Sequence, residues 1–479
     1  MYISNMKLTN FRSFNGINEL QFNDGLNFFV GNNNCGKTTV FKAVEFIQNG
    51  KDKWEFITIG KEKEEIAVEI TLSGDDIEDI VNNNELKKYQ NYIYEKNETL
   101  NITIKRSSKN DSVVQNGRKK DLDIKNIRTW NNIENQFENP TGIDKTINAL
   151  FDAQFVYSDI KNEEYRDFGK TKVIGKLINS ITKDFQHSKV YKDLIKAHEK
   201  AFGDEGLKNS LHDTEKELQK IISEQYGEAE VEFKFELPDM NNFLKHGTIN
   251  LTENNITTEV SEKGTGMQRA LAMSLIQVYS NIVNKENAKQ LLFFIDEPET
   301  FLHPKAQARI INAFRKISRE TQVFITTHSP YLLKQFDNDI DDIKIFKSES
   351  DRKVICSQNI NSFPFSPTWG EINYLAFDIV NVEFFNELYG YLQHISGEDK
   401  ITSFDYYLKR KGVNKTVVYR RNFKDKIKDY NYTIPTYIRN LIHHPENQNN
   451  QTFTEEQLNE AIETLYYINN NLGSEHYNK

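Results

Sequence analysis

The chain has 479 residues, 37% of them apolar and 12% aromatic, which suggests two or three domains with a packed core and excludes general disorder. Its 61 Lys+Arg against 70 Asp+Glu leave a net charge of -9, so any nucleic-acid site must be a local basic patch rather than the whole surface. Two cysteines, Cys35 and Cys356, exclude a disulfide framework or a Cys-rich zinc module, and no apolar run approaches the roughly 20 residues that span a bilayer.

The opening MYISNMKLTNFRSF alternates like a strand and lacks the apolar core of a signal peptide, so a cytoplasmic chain with no membrane association is expected. Strands are expected at 2–8, 17–22 and Leu26–Val30, then the loop GNNNCGKTT and an amphipathic helix, VFKAVEFIQ. Period-two alternation at 66–72 and 100–105 predicts an antiparallel meander. The polar stretch 106–146 reads as a loop or excursion, with GRKK at 117–120. Helical periodicity over 172–226 predicts a helical hairpin or arm. Strands follow at 230–237 and 248–260, a helix at 266–284, a buried strand at Gln290–Ile295, a helix from Pro304 to about 318, and a strand at Val323–Thr326. Asp337, Asp339, Asp341 and Asp342 offer a D-x-D pattern, but a Toprim nuclease needs more β/α chain after it than the helical tail provides, so a solvated turn is expected. A domain boundary falls near 360; beyond it the pattern is helical, at 370–394, 400–411, 416–429, 434–443 and 454–470.

Four segments carry nucleotide chemistry. Gly31 to Thr38 fits G-x-x-x-x-G-K-[ST]: backbone N–H groups turn inward around a phosphate, Lys37 reaches the β/γ-phosphates and Thr38 offers a hydroxyl to Mg²⁺. In LLFFIDEPET a strand ends on Asp296, placed for Mg²⁺, and Glu297, placed to polarise the attacking water. In VFITTHSP, His328 ends another strand, where a parallel sheet collects its functional groups. Ser261, Gly264, Thr265 and Gly266 precede a helix and form a second anion-binding start, which makes sense if two chains arranged head to tail complete each other's sites. Cys35, at a helix N-terminus, is open to two readings: a thiol of lowered pKa whose oxidation blocks ATP, or a small residue fitting a tight loop.

In this order the four segments resemble the ATPase head of the OLD/RecF/SMC branch of the ABC superfamily, and LTNFRSF is similar too, with Arg12 where that branch packs an Arg near the nucleotide. The resemblance implies an α/β fold: an ABC-type ATPase head over 1–350, a mixed sheet with a P-loop core, carrying an inserted helical arm at about 160–226. It implies ATP and Mg²⁺ as cofactors, with Asn34, Gly36, Lys37, Thr38 and Thr39 on the phosphates, Asp296 and Glu297 as the Walker B pair, and His328 as the switch histidine. SEKGTGMQR resembles the signature loop but departs from the transporter LSGGQ, so either Ser261 or Thr265 is the γ-phosphate contact. A Q-loop is expected near Gln154–Asp159.

The tail, 360–479, is expected to be all-α. In YIRNLIHHPENQN, Arg439 and His444 are spaced R-x4-H, with Asn440 after the Arg, which resembles the HEPN superfamily of helical ribonucleases. His supplies a proton carrier near neutrality and Arg a planar cation for phosphorane charge. Either His443 or His444 also suits the plain role of helix C-cap before Pro445. Between 400 and 432, ten Lys/Arg face three Asp, with Tyr406, Tyr407, Tyr419 and Tyr430 interleaved, a patch suited to RNA. The expected protein is a dimeric defence ATPase restraining a tail ribonuclease that cuts RNA such as tRNA in response to a phage-derived trigger. One alternative is an ATPase sensor or scaffold for a separate nuclease, as in Septu- or PARIS-like systems; the other is a RecF-like DNA-repair ATPase.

Overall fold

A computed structural model describes residues 1–50, 52–115, 117–158, 182, 185–203, 205–235, 248–253, 255–286, 290–337, 339–348, 354–357, 361–423 and 426–475. The chain divides into two units, one of residues 1–158 with 289–479 and one of 159–288.

The first unit opens with β1 (Tyr2–Thr9), β2 (Ile17–Gln21), β3 (Leu26–Val30) and α1 (Lys37–Asn49). Next come β4 (Ala67–Ser73), α2 (Ile77–Val81), β5 (Tyr94–Lys96), β6 (Thr99–Ser107), β7 (Asp111–Gln115), β8 (Arg118–Leu122), β9 (Ile127–Asn131), β10 (Gln136–Glu138), α3 (Ile143–Leu150) and β11 (Phe151–Val156). The expected meander is present: β4 and β6 are antiparallel neighbours in a seven-stranded sheet ordered β10-β9-β6-β4-β1-β2, with β5 beside β6. The stretch 106–146, expected as a loop, is instead four strands and a helix. Its β7–β8 hairpin, which carries the GRKK sequence, is largely exposed on both faces, so it lacks the apolar alternation that reveals a half-buried strand.

The second unit contains α4 (Lys189–Phe202), α5 (Leu207–Tyr226), the hairpin β12 (Asn250–Glu253) and β13 (Ile256–Glu259), and α6 (Thr265–Glu286). The Ser188 hydroxyl accepts from Tyr191 N and caps α4. These two helices are the expected arm; the part of it at 160–181 lies outside the described residues. The strand expected at 230–237 is absent over 230–235, and 236 and 237 lie outside the described residues. Period-two alternation becomes a strand only with a ladder partner. Here Phe233 N donates to Glu215 Oε1 at 2.7 Å and Lys208 meets Glu232, so side chains of α5 hold the segment instead.

The chain returns to the first unit with β14 (Gln290–Asp296), α7 (Pro304–Ser318), β15 (Gln322–Thr327), the short α8 (Pro330–Leu333), β16 (Asp341–Ser348) and β17 (Val354–Ser357). These complete a six-stranded sheet ordered β11-β14-β15-β3-β16-β17, parallel except for β17. The fold class is therefore α/β, and the sheet is mixed as expected. β3 and β15 are fully buried, as is β14 beyond Gln290, which explains why their sequences are mostly apolar; the buried Asn27 of β3 bonds Asn23 and Gly25. The Asp cluster is a solvated turn only in part: Asp337 and Asp339 are exposed ahead of β16, whereas Asp341 starts β16, is buried, and binds Arg315 and the N–H of Asp337.

The tail holds α9 (Trp369–Phe377), α10 (Val382–Ser396), α11 (Ile401–Arg410), β18 (Val417–Phe423), β19 (Lys426–Tyr432), α12 (Ile434–His443) and α13 (Glu455–Glu475). Phe384, Phe385, Leu388, Phe404, Ile438 and Ile462 form its core. Two corrections follow. The helix expected over 370–394 breaks at Asp378, which takes φ 55. The helix expected at 416–429 is an antiparallel hairpin, so the tail is not all-α: Val417, Tyr419, Arg421 and Phe423 alternate along one strand face, and Tyr419 faces Tyr430 across the ladder.

Candidate active site

The phosphate-binding loop runs from the buried end of β3 into α1. Gly31 takes φ 142, and a Cβ there would meet the carbonyl oxygen of Phe346 at 2.2 Å, so only glycine fits. Gly36 takes φ 99 at the N-cap of α1, and Asn34 takes φ 61. Lys37 is buried, and its ammonium donates to Gly31 O and Asn32 O, each at 2.9 Å. It also lies 3.0 Å from Nε2 of His328. Burial pushes this ammonium below the ordinary lysine range, opposed by Cys35, Glu297 and Asp296.

Thr38, Asp296 and two neighbours form the second part. Asp296 Oδ1 accepts from Thr38 Oγ1 at 3.0 Å and Thr326 Oγ1 at 2.6 Å, and its Oδ2 accepts from Ser158 Oγ at 3.1 Å. Among the described residues no group of three His, Cys, Asp or Glu could hold a metal. One hydroxyl and one carboxylate nevertheless fit Mg²⁺, which takes few protein ligands and fills its octahedron with phosphate oxygens and water.

Glu297 follows β14 in a left-handed conformation, φ 44, with its N–H on the carbonyl and hydroxyl of Thr326. Its Oε1 lies 3.2 Å from Nε2 of His328. That contact, more than the ammonium of Lys37, holds the Glu297 carboxyl below the usual range against the effect of burial. Glu299 is buried: its Oε1 accepts from Thr327 Oγ1 at 2.7 Å and from the N–H of His328 at 2.8 Å, and burial pushes its carboxyl up. Ser329 Oγ donates to Gln307 at 2.6 Å. A ladder of short contacts therefore fixes the Asp296–Thr300 turn to the Thr326–Ser329 turn.

The structure brings Lys37, Thr38, Asp296, Glu297 and His328 into one cluster. Thr39 is buried, with its hydroxyl 3.2 Å from that of Ser13. Arg12 takes φ 52 and is exposed, and its charge reaches Tyr157, which donates to Glu45 at 2.7 Å. In the other unit, Ser261 Oγ donates to Glu259 Oε2 at 3.2 Å, and Gln268 Nε2 pins the loop by donating to Ser261 O and Lys263 O. Gly264 precedes α6, and Thr265 and Gly266 form its first turn.

Two sequence expectations are refined or overturned by the geometry. Gln154 is buried within β11 and donates to Asp152, whereas Ser158 reaches Asp296; Asp159 lies outside the described residues. The reading of Cys35 as a thiol of lowered pKa fails, because burial raises it despite the nearby Lys37. The sequence reading also missed Glu299 and Thr326; the carboxylate in DEPET and the threonine pair before His328 were the available signals.

In the tail, Arg439 Nη1 donates to Asn440 Oδ1 at 3.4 Å. His444 is the C-cap of α12, and its Nδ1 lies 3.1 Å from Oε1 of Glu446. The pKa of His443 is pushed down first by its partial burial and then by the positive charge of Arg439 and His444. Asn447 donates to Tyr419 Oη and Arg420 O, and Asn450 Oδ1 accepts from Arg420 N, so the segment after His444 is fastened along β18. Arg421 faces Lys428 directly across the hairpin, a like-charge pair that gains from an anion. Lys424 lies outside the described residues.

The family profile described as an AAA ATPase domain matches residues 1–333. The Old nuclease of Escherichia phage P2 is 25% identical over 350 residues, which cover 69% of this chain and 57% of that protein. The endonuclease GajA of Bacillus cereus is 24% identical over 417 residues, 70% of this chain and 58% of that protein. The chain thus spans less than two thirds of the length of these two relatives. The DNA replication and repair protein RecF of Clostridium tetani is 26% identical over 388 residues, 73% of this chain and 98% of that protein. Among solved structures, the SMC head domain from Thermotoga maritima aligns with a TM-score of 0.38 and 12% identity, covering 75% of this chain and 99% of that one. No helix among the described residues is long and apolar enough to cross a membrane.

Proposed function

The chain belongs to the AAA ATPase domain family, and on that premise we propose that it binds and hydrolyses ATP at the Lys37 loop and uses this cycle to control RNA cleavage by its tail. The observation that carries the first half is the convergence of Lys37, Thr38, Asp296, Glu297 and His328 on one cluster of hydrogen-bonding contacts. Lys37, now on loop carbonyls, turns to the phosphates. Thr38 and Asp296 would hold Mg²⁺, which when bound neutralises phosphate charge. Glu297 orients the attacking water and takes its proton; the new bond forms at the γ-phosphorus as the bond to the β-phosphate oxygen breaks, giving ADP and phosphate. The Ser261–Gly266 loop of a second copy completes the site, so ATP assembles a homodimer.

In the tail, His444 accepts the proton of a ribose 2′-hydroxyl. The 2′-oxygen bonds to phosphorus, the bond to the 5′-oxygen breaks, and that oxygen leaves as a 5′-hydroxyl, taking a proton; the other product is a 2′,3′-cyclic phosphate. Arg439 neutralises the phosphorane. The shared electrostatic environment of Arg439, His443 and His444 supports this reading, as do the hairpin cations beside it.

The test is cleavage of labelled tRNA and of single-stranded DNA by purified full-length protein, with and without ATP. Cleavage of RNA lost in Arg439→Ala and His444→Ala is expected. Intact RNA under all conditions rejects the tail nuclease, and cleavage that ignores both substitutions and requires a second protein assigns the nuclease to a separate chain.

A further inference from the structure

One helix of the tail touches the nucleotide site at both of its ends. α9 is nine residues long. At its start, the indole N–H of Trp369 donates to Pro330 O at 3.1 Å, and the Lys334 ammonium sits 5.8 Å over the indole ring. At its end, the Asp378 carboxylate accepts from the side-chain amide of Asn32, inside the phosphate loop, and lies 3.9 Å from the Lys347 ammonium. Pro330 stands two residues after His328, and Ser329 between them caps α8.

Lys37 joins these two points from the other side. Its ammonium holds the main-chain carbonyl of Asn32 and lies against His328. A triphosphate offers that ammonium stronger, charge-assisted partners. ATP therefore draws Lys37 away from the two segments that the ends of α9 grip. We propose that α9 is the element through which the tail and the ATP site sense each other, with Asp378 and Trp369 as positioning residues of the phosphate loop and of the segment after His328. The inference rests on the reading that ATP fills the Lys37 loop, and deepens it by naming how the site is regulated.

The charge gives the coupling a sign. Asp378 sets a carboxylate on a loop built for anions, and Lys347 offsets only part of it. The docked tail opposes ATP, and by reciprocity ATP loosens the grip of α9 on the head. Movement of α9 is passed on because the helix is stiff and tightly packed. Thr368 and Glu371 form a capping box at its start, and a Cβ on Gly370 would meet the Phe384 nitrogen of α10 at 2.6 Å. α10 in turn meets α12, the helix of Arg439, through Tyr389 Oη and Thr436 Oγ1 at 3.4 Å.

The experiment uses full-length wild type, Asp378→Asn and Trp369→Phe. Asn tolerates the left-handed conformation of residue 378 and keeps an acceptor while removing the charge, and Phe keeps a ring while removing the donor. Asp378→Asn should bind ATP about three- to tenfold more tightly, lowering KM with kcat nearly unchanged. In wild type, saturating ATP should speed amide exchange over 369–377; in both variants that exchange should already be fast without ATP. Both variants matching wild type in ATP affinity, with α9 exchange indifferent to ATP, overturns the inference. Neither measurement reads RNA cleavage, so both outcomes are independent of whether the tail is a nuclease. A wild type that binds ATP beside unchanged variants removes only this inference, whereas a wild type that binds none removes the nucleotide reading with it.

Discussion

The ammonium of Lys37 lies 3.0 Å from Nε2 of His328, the nitrogen that is also 3.2 Å from Oε1 of Glu297. One ring nitrogen cannot accept from an ammonium and donate to a carboxylate at once. When ATP takes Lys37, Nε2–H is free to donate to Glu297. The side-chain contact with His328 is the largest cause of the lowered Glu297 pKa. His328→Ala should therefore raise that pKa and move the acid limb of the kcat/KM profile for ATP toward neutral pH. An unmoved limb contradicts the contact's role.

Lys37→Ala should abolish ATP binding, because the ammonium is the buried cation of the loop. Glu297→Gln should bind ATP normally and hydrolyse it about 10²–10⁴-fold more slowly. Equilibrium binding beside single-turnover hydrolysis separates the two; a Gln variant of full activity removes Glu297 from the water-activating role.

Glu299 carries a buried carboxyl whose pKa is raised by that burial. The folded chain thus holds this proton to higher pH than the unfolded chain does, and stability falls as pH rises through the window between the two values. Glu299→Gln has no such charge. It should melt higher than wild type at pH 7, by roughly 1–2 °C for each kcal/mol gained in a unit of this size, and the gap should close toward pH 4. A variant less stable than wild type at pH 7 contradicts this.

Asp405 is fully buried, with Oδ1 on the N–H and hydroxyl of Thr433 at the start of α12 and Oδ2 2.7 Å from the Lys415 ammonium. Removing it leaves Lys415 only the Tyr406 ring, 3.7 Å away, and leaves the N–H and hydroxyl of Thr433 at the N-cap of α12 without this acceptor. Asp405→Ala should cost the tail about 3–5 kcal/mol. Hydrogen exchange should show this as faster amides over 434–443 with those of α1 unchanged.

The Cys35 thiol is buried and its pKa raised, so it stays protonated and unreactive. Iodoacetamide at neutral pH should label the folded chain slowly and the denatured chain fast. Rapid labelling of folded protein would contradict the burial argument.

Much of the nucleotide site was legible because its strands are buried on both faces. Leu26–Val30 is apolar at four of its five positions, and Pro304 sits at the first position of α7, where proline starts helices. The hairpin at 417–432 was not legible, because basic residues fill strand positions where apolar alternation is sought, and exposed strands need none. Ser158 and Glu299 escaped for another reason: their partners, Asp296 for the one and Thr327 and His328 for the other, lie far away in the sequence and meet them only across the sheet. The break at Asp378 was hidden by an apolar pattern that continues on both sides of it.

Two copies sharing ATP is the central claim about the nucleotide cycle. The most direct measurement is the mass in solution of the Glu297→Gln protein with saturating ATP and Mg²⁺. A dimer that reverts to monomer without nucleotide, and fails to form with Lys37→Ala or Ser261→Arg added, is the result expected. A mass that ATP leaves unchanged would contradict it.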